Sequence, residues 1–154
     1  MRTAEAWFSS YGQDHQNATN RTIHWVCVPT ILWATIALLW AVPVPSAVGA
    51  PGGWCLLAMA CALLFYWRLS WVIGLGMFAL FAILGLATRA LYGTLGAPRL
   101  LAVAVGCFAL AWVGQFIGHR FEGKRPSFLT DLSYLLVGPA WLLSKLLRRL
   151  GVAY

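Results

Sequence analysis

Histidine occurs three times in this chain of 154 residues, and all three stand where polar sequence meets a long apolar run. His15 and His24 lie in YGQDHQNATNRTIHWVCVP, residues 11–29, just where the first apolar run begins. His119 lies in QFIGHRFEGKRP, residues 115–126, where a later run stops. Neutral imidazole is the commonest metal ligand among side chains. Three imidazoles suit iron(II), zinc or copper, and residue types alone do not choose among them. A closed structural site needs a fourth ligand, for which Glu122 or Asp14 is available; an open site keeps positions for substrate, as a catalytic metal requires. Each histidine also has polar company at helical spacing. Asn20 lies four residues before His24, Gln115 four before His119, and Glu122 three after it, so each pair can share a helix face. Ligating imidazoles commonly donate their second N–H to such neighbours. Haem is not expected, because no histidine pair faces itself inside an apolar run. The multi-histidine boxes of membrane desaturases need more histidines than this chain has.

The elements that must position these residues are membrane helices. Hydrophobic residues make up 61% of the chain and charged ones only 10%, against about 45–50% and about 25% in soluble domains. An all-α polytopic membrane protein of one domain is expected. The net charge of +7 does not point to nucleic acid, since the basic residues are spread over run ends and the tail; lipid headgroups or an acidic substrate fit them better. Cys27, Cys55, Cys61 and Cys107 lie in or beside apolar runs without a CxxC pair, so they read as small buried residues.

In chain order, residues 1–22 form a polar segment with no apolar core of the kind a signal peptide has. Residues 4–11 are a weak candidate for a short amphipathic helix that touches the interface through Trp7, Phe8 and Tyr11. Four spans follow at residues 23–42, 54–67, 71–87 and 100–118; the first has the roughly 20 residues a bilayer requires, and the second is rather short. Pro29 is expected in the first turns of the first span, where its missing N–H is tolerated. Gly74, Gly76 and Gly85 suggest close helix packing in the third. Residues 88–99, with Gly93, Gly96 and Pro98, read as a loop, and residues 119–131 as another. Residues 132–150 predict an amphipathic helix in the interface plane, with Leu132, Leu135, Leu136, Pro139, Leu142, Leu143, Leu146, Leu147 and Leu150 on one face and Ser133, Ser144, Lys145, Arg148 and Arg149 on the other. A fifth span is the competing reading of this tail.

Basic residues fix the expected orientation. With four spans, Arg2, Arg21, Arg68, Arg120, Lys124 and Arg125 fall on one side, and Arg89 and Arg99 on the other. The positive-inside rule then places both termini in the cytoplasm, of a bacterial inner membrane or of endoplasmic reticulum. An even number of spans returns His119 to the side on which His15 and His24 start. No histidine chemistry enters that placement.

HQNATNRTIHWVCVP, with His15, Asn20, His24 and Pro29, followed by QFIGHRFEGKRP and LLVGPAWLL, resembles a small membrane family of iron(II)-dependent 2-hydroxy fatty acid dioxygenases. The match runs over nearly the whole chain, and the ordered combination is more specific than any one piece. The resemblance implies a bound Fe(2+) held by His15, His24 and His119, and the shortening of 2-hydroxy fatty acids by one carbon with O2 and without 2-oxoglutarate. Ser127 stands where alanine is expected in relatives, and no acidic residue follows Gly138-Pro139. Arg21 and Arg120 are candidates for drawing the fatty carboxylate to the interface, with Lys124 and Arg125 nearby. The acyl chain is expected between spans, beside the glycine-rich third helix. The other reading is a non-catalytic membrane protein whose histidines cap helices or hold a structural metal. A transporter would need ionisable groups inside its spans, which these apolar runs lack.

Overall fold

The computed structural model describes residues 2–47 and 49–154, and among them the regular structure is entirely helical. The elements are α1 (Ala4–Gln13), α2 (Ala18–Ala41), α3 (Gly53–Leu69), α4 (Trp71–Glu122), a 3-10 turn at Ser127–Leu129, and α5 (Tyr134–Arg149). Two of them, α2 and α4, are long and apolar enough to cross a membrane. Large apolar side chains face outward around the bundle, among them Val26, Ile83, Leu86 and Leu110. Such an apolar belt is a liability in water and ordinary against lipid.

Helix α2 begins five residues before the expected span, at Ala18. The Asn17 side chain makes that possible by accepting hydrogen bonds from Thr19 N (2.9 Å) and Asn20 N (3.2 Å), which satisfies two amides that the helix itself leaves unpaired. Pro29 therefore lies inside α2 rather than in its first turns.

At 52 residues, α4 would be about 78 Å long if straight. It is not straight. Both of its ends lie beside α5: Gly76 faces the Leu143 side chain, and His119 lies 5.0 Å in ring centroids from His15, which in turn lies 5.5 Å from Trp141. The chain folds back at Gly96, whose φ of 74° and ψ of 166° interrupt the helix and are open essentially to glycine alone. The expected loop at residues 88–99 is thus a single non-helical residue. Helical arms run right up to it, and Pro98 occupies the first turn of the second, where a missing N–H costs nothing. Around the reversal, Leu100 and Ala104 pack on Ala37 with Tyr92 alongside.

The first arm (residues 71–95) packs on α3. A side chain at Gly74 would collide with the Trp67 ring, and Gly85 faces Met59. The second arm (residues 97–122) runs antiparallel to α2, so close that a Cβ at Gly114 would sit 2.6 Å from Cys27 Sγ, and one at Gly118 2.5 Å from Asn20 Oδ1. Glycine at these two positions brings the His119 segment onto the His24 segment.

Helix α5 runs across the end of the bundle where the histidines lie. Its Leu136 carbonyl accepts from Tyr66 Oη at 3.0 Å, and Tyr11 lies against Gly138. Tyr134, Val137, Trp141 and Ser144 recur at helical spacing on the buried side, while Leu135 and Leu146 are exposed. The expected apolar face is therefore split. Pro139 and Leu142 are buried, much of the leucine edge points outward, and the side that carries Ser144 and Lys145 turns toward the protein. Aromatic contacts dock α1 on this helix, with Trp7 on Tyr134 at 5.4 Å and Tyr11 on Trp141 at 5.2 Å.

Candidate metal centre

His15 sits in the short link between α1 and α2, His24 one turn and a half into α2, and His119 one turn before the end of α4. The three rings come together: one ring nitrogen from each lies within 4.8 Å of the others. All three side chains are buried, at 1%, 1% and 5% exposure, so imidazolium would be costly here. Burial holds His15 below its ordinary pKa, against the opposing pull of the Tyr11 carbonyl and of the Asp14 and Glu122 charges.

Hydrogen bonding fixes two of the tautomers. His15 Nδ1 donates to the Tyr11 carbonyl at 2.6 Å and His24 Nδ1 donates to the Asn20 carbonyl at 2.9 Å. A carbonyl can only accept, so each proton is on Nδ1 and each Nε2 presents a lone pair. Those two Nε2 atoms lie 2.9 Å apart. Two lone pairs at that distance repel unless a proton or a metal cation sits between them. His119 Nδ1 is buried without a hydrogen-bond partner. A donor set of neutral imidazoles with converging lone pairs fits a divalent transition metal.

The segments that carry the histidines are tied together by Glu122. Its carboxylate accepts from Gln16 N at 2.8 Å, Asn17 N at 2.9 Å and Asn20 Nδ2 at 2.9 Å. Partial burial alone would raise its pKa, but these donors outweigh it and hold the carboxylate below its usual range. Asn20 completes the link: its carbonyl holds His24, its amide meets Glu122, and its Oδ1 lies over Gly118. Gln115 is buried beside His119 and does not reach the unpartnered Nδ1. The partners of the two oriented imidazoles are main-chain carbonyls. A second clasp joins the same segments: Ser127 Oγ donates to Asp14 Oδ2 at 2.9 Å, and Lys124 Nζ reaches the Gln13 carbonyl at 2.9 Å.

Two cavities meet the cluster from different sides. One is polar, about 570 Å³, and reaches His15 from among Arg21, Trp141, Lys145 and Arg148. The other is apolar, about 480 Å³, and reaches His24 and His119. Its walls are α2 from His24 to Leu39, the second arm of α4 through Phe108 and Trp112, and the first half of α5. It is not beside the glycine-rich first arm of α4, where the acyl chain was expected. Arg21 lines the polar cavity, whereas Arg120 is exposed and lines neither.

A family profile described as "2-hydroxy-palmitic acid dioxygenase Mpo1-like" matches residues 1–150. The chain belongs to the Mpo1-like family. It is 30% identical over 141 residues to a Saccharomyces cerevisiae protein named 2-hydroxy-palmitic acid dioxygenase MPO1, an alignment that covers 89% of this chain and 75% of the yeast one. No solved structure matches the chain.

Within this Mpo1-like fold, sequence reasoning passed over Tyr11 and Trp141. Tyr11 stacks on His15 with centroids 4.1 Å apart and planes 23° apart, and Trp141 packs beside both rings, 5.2 Å from Tyr11 and 5.5 Å from His15. Tyr11 stands four residues before His15, the same spacing as Asn20 to His24. That repeat was the available signal, because the carbonyl four residues back is what each Nδ1 bonds.

Proposed function

We propose that this protein is an iron(II)-dependent dioxygenase of 2-hydroxy fatty acids that shortens them by one carbon. The observation that carries the reading is the placement of three buried imidazoles, with converging nitrogens, at the head of a long apolar cavity. The yeast relative's name supplies the substrate class. His15, His24 and His119 would hold the metal, and as an open set of three ligands they would leave room for substrate beside it. Zinc has no redox chemistry; iron(II), when bound, supplies the activation of O2 that the reaction needs. The chain's own residues do the rest. Tyr11 and Asn20 carbonyls keep Nε2 of His15 and His24 unprotonated and aimed inward. The groove along α2 takes the acyl tail: His24 to Leu39 spans about 22 Å of helix. Tyr11 covers one face of the His15 ring. The reaction balances as 2-hydroxy acid plus O2 giving the shortened acid, carbon dioxide and water, with no outside reductant.

The same reading includes four membrane spans with both termini cytoplasmic and α5 in the interface. Its supports are the reversal at Gly96, the bias of basic residues, and the course of α5 across the bundle end. Anaerobic purification with iron(II), followed by 2-hydroxypalmitic acid and O2, tests the function. One O2 consumed per pentadecanoic acid formed is expected. A protein that binds iron yet leaves the 2-hydroxy acid intact would refute it.

A further inference from the structure

The side chains that line the polar cavity carry an excess of positive charge. Arg21, Lys145 and Arg148 line it against a single acidic side chain, Glu5. Among the described residues none of the three cations forms a salt bridge; Lys124–Asp14 is a separate pair. Aromatic faces hold two of them in place. Lys145 Nζ lies 4.3 Å from the Trp141 ring centre and the Arg148 guanidinium 5.3 Å from that of Tyr154. Tyr154 also lines the cavity, and its hydroxyl is buried without a hydrogen-bond partner. Burial, and then the Arg21, Arg148 and Arg149 charges, hold Lys145 below its ordinary pKa. Mutually repelling cations and an unpaired hydroxyl mark a place for an anion.

The geometry says which anion. A helix that only lies on a membrane points its apolar edge at the acyl chains and splays its basic residues toward headgroups. Here Lys145 and Arg148 line a cavity that also reaches His15, and Lys145 is held in it against the Trp141 ring. The apolar groove starts at His24 and His119, with their rings 4.3 Å and 5.0 Å from that of His15. The pair of cavities therefore matches an amphiphile with one anionic end and one long apolar tail.

We propose that Lys145 and Arg148, with Arg21 and the Tyr154 hydroxyl, form the carboxylate-recognition site that draws the acid end of the fatty substrate to His15. This rests on the dioxygenase reading for the identity of the substrate, but binding can be read without turnover. It also names Lys145 and Arg148, which line the cavity from the far tail of the chain, in place of Arg120, which lines neither cavity.

The test uses the iron-loaded full chain in phosphatidylcholine nanodiscs, with radiolabelled palmitate and hexadecanol as an acid and a neutral probe. The Lys145→Gln/Arg148→Gln variant is expected to bind palmitate about 10-fold or more weakly, the loss that charged hydrogen bonds predict. Its hexadecanol affinity and iron content should stay at wild-type values, which separates lost recognition from lost folding. Lys145→Arg should restore most of the palmitate affinity, and Arg120→Gln should match wild type. Unchanged palmitate binding in the double variant would overturn the proposal. So would a wild-type advantage that disappears once phosphatidylglycerol is added, because the cations would then hold lipid phosphates. If palmitate binding depends on Lys145 and Arg148 but no 2-hydroxy acid is turned over, the recognition site stands and the dioxygenase reading falls. If turnover proceeds with an unchanged KM in the double variant, the reverse holds.

Discussion

Tyr11 holds His15 in two ways at once: its ring stacks on the imidazole at 4.1 Å, and its carbonyl accepts the Nδ1 proton at 2.6 Å. The carbonyl survives any substitution, so side-chain changes isolate the stacking. Burial pushes the Tyr11 hydroxyl above its usual pKa, and it remains a neutral phenol. Tyr11→Phe should therefore leave metal binding close to wild type. Tyr11→Leu removes the flat surface that sets the ring plane and should weaken metal affinity by about 10–100-fold, the usual cost of losing an orienting partner. Isothermal titration with iron(II) or cobalt(II) under anaerobic conditions measures both. Equal affinity in Tyr11→Leu would show that the carbonyl alone orients His15.

The three histidines make the strictest demand. Single changes of His15, His24 or His119 to Ala should each remove most bound metal and essentially all oxygenase activity, since a site of three ligands has none to spare. Elemental analysis beside an oxygen-uptake assay reads both quantities. A variant that keeps metal and turnover after losing any one of them would refute the shared site.

Glu122 is expected to behave differently from a ligand. Its carboxylate accepts two main-chain amides and one side-chain amide, and hydrogen bonds to a charged group are worth about 1.5–3 kcal/mol each before discounting for solvent access. Glu122→Ala should raise amide hydrogen exchange at Gln16 and Asn17 and lower metal affinity by about 10–100-fold, without abolishing it. Glu122→Gln keeps an acceptor and should fall between the two. Complete loss of metal in Glu122→Ala, matching a histidine change, would make Glu122 a ligand.

How far the sequence revealed this arrangement depends on which forces act locally. The apolar runs announce α2, α3 and both arms of α4, because burial in lipid or protein requires continuous hydrophobicity. Counting the runs also brings His15, His24 and His119 to one end, without any tertiary knowledge. The turn at Gly96 was less legible. Gly93, Gly96 and Pro98 signal a break, but only packing of Leu100 and Ala104 on Ala37 decides that one residue suffices. The docking face of α5 was not legible, because its leucine pattern speaks only of the membrane interface. Contact with Tyr11 and His15 instead favours Gly138 and Trp141, and that preference comes from residues more than a hundred positions away. The donors to Glu122 were illegible for the same reason.

Topology follows from the proposed four spans, and the structure improves the choice of reporters. Ser127 is buried against Asp14, so a cysteine there would report packing rather than sidedness; Arg125 is exposed and serves better. Cysteines at Ser9 and Arg125 should be protected from an impermeant thiol reagent in intact cells, and one at Ser46 should react, with the unmodified protein as blank. Ser46 and Arg125 reacting from the same side would remove the four-span reading.

The close approach of Gly118 to Asn20 gives a test of assembly that leaves every ligand in place. A Cβ at Gly118 would lie 2.5 Å from Asn20 Oδ1, inside contact distance, and Asn20 cannot retreat without disturbing the carbonyl that holds His24 or the amide that meets Glu122. Gly118→Ala should therefore push the second arm of α4 away from α2, lower the thermal midpoint, and loosen metal although all three histidines remain. Gly106 supplies the contrast. It sits in the same arm with open space around it, so Gly106→Ala should be neutral or stabilising by about 0.5–1 kcal/mol, the ordinary advantage of alanine within a helix. Thermal unfolding and metal content of the two variants, compared in one detergent, decide the matter. If Gly118→Ala binds metal as tightly as Gly106→Ala, the contact between α2 and α4 does not position the site.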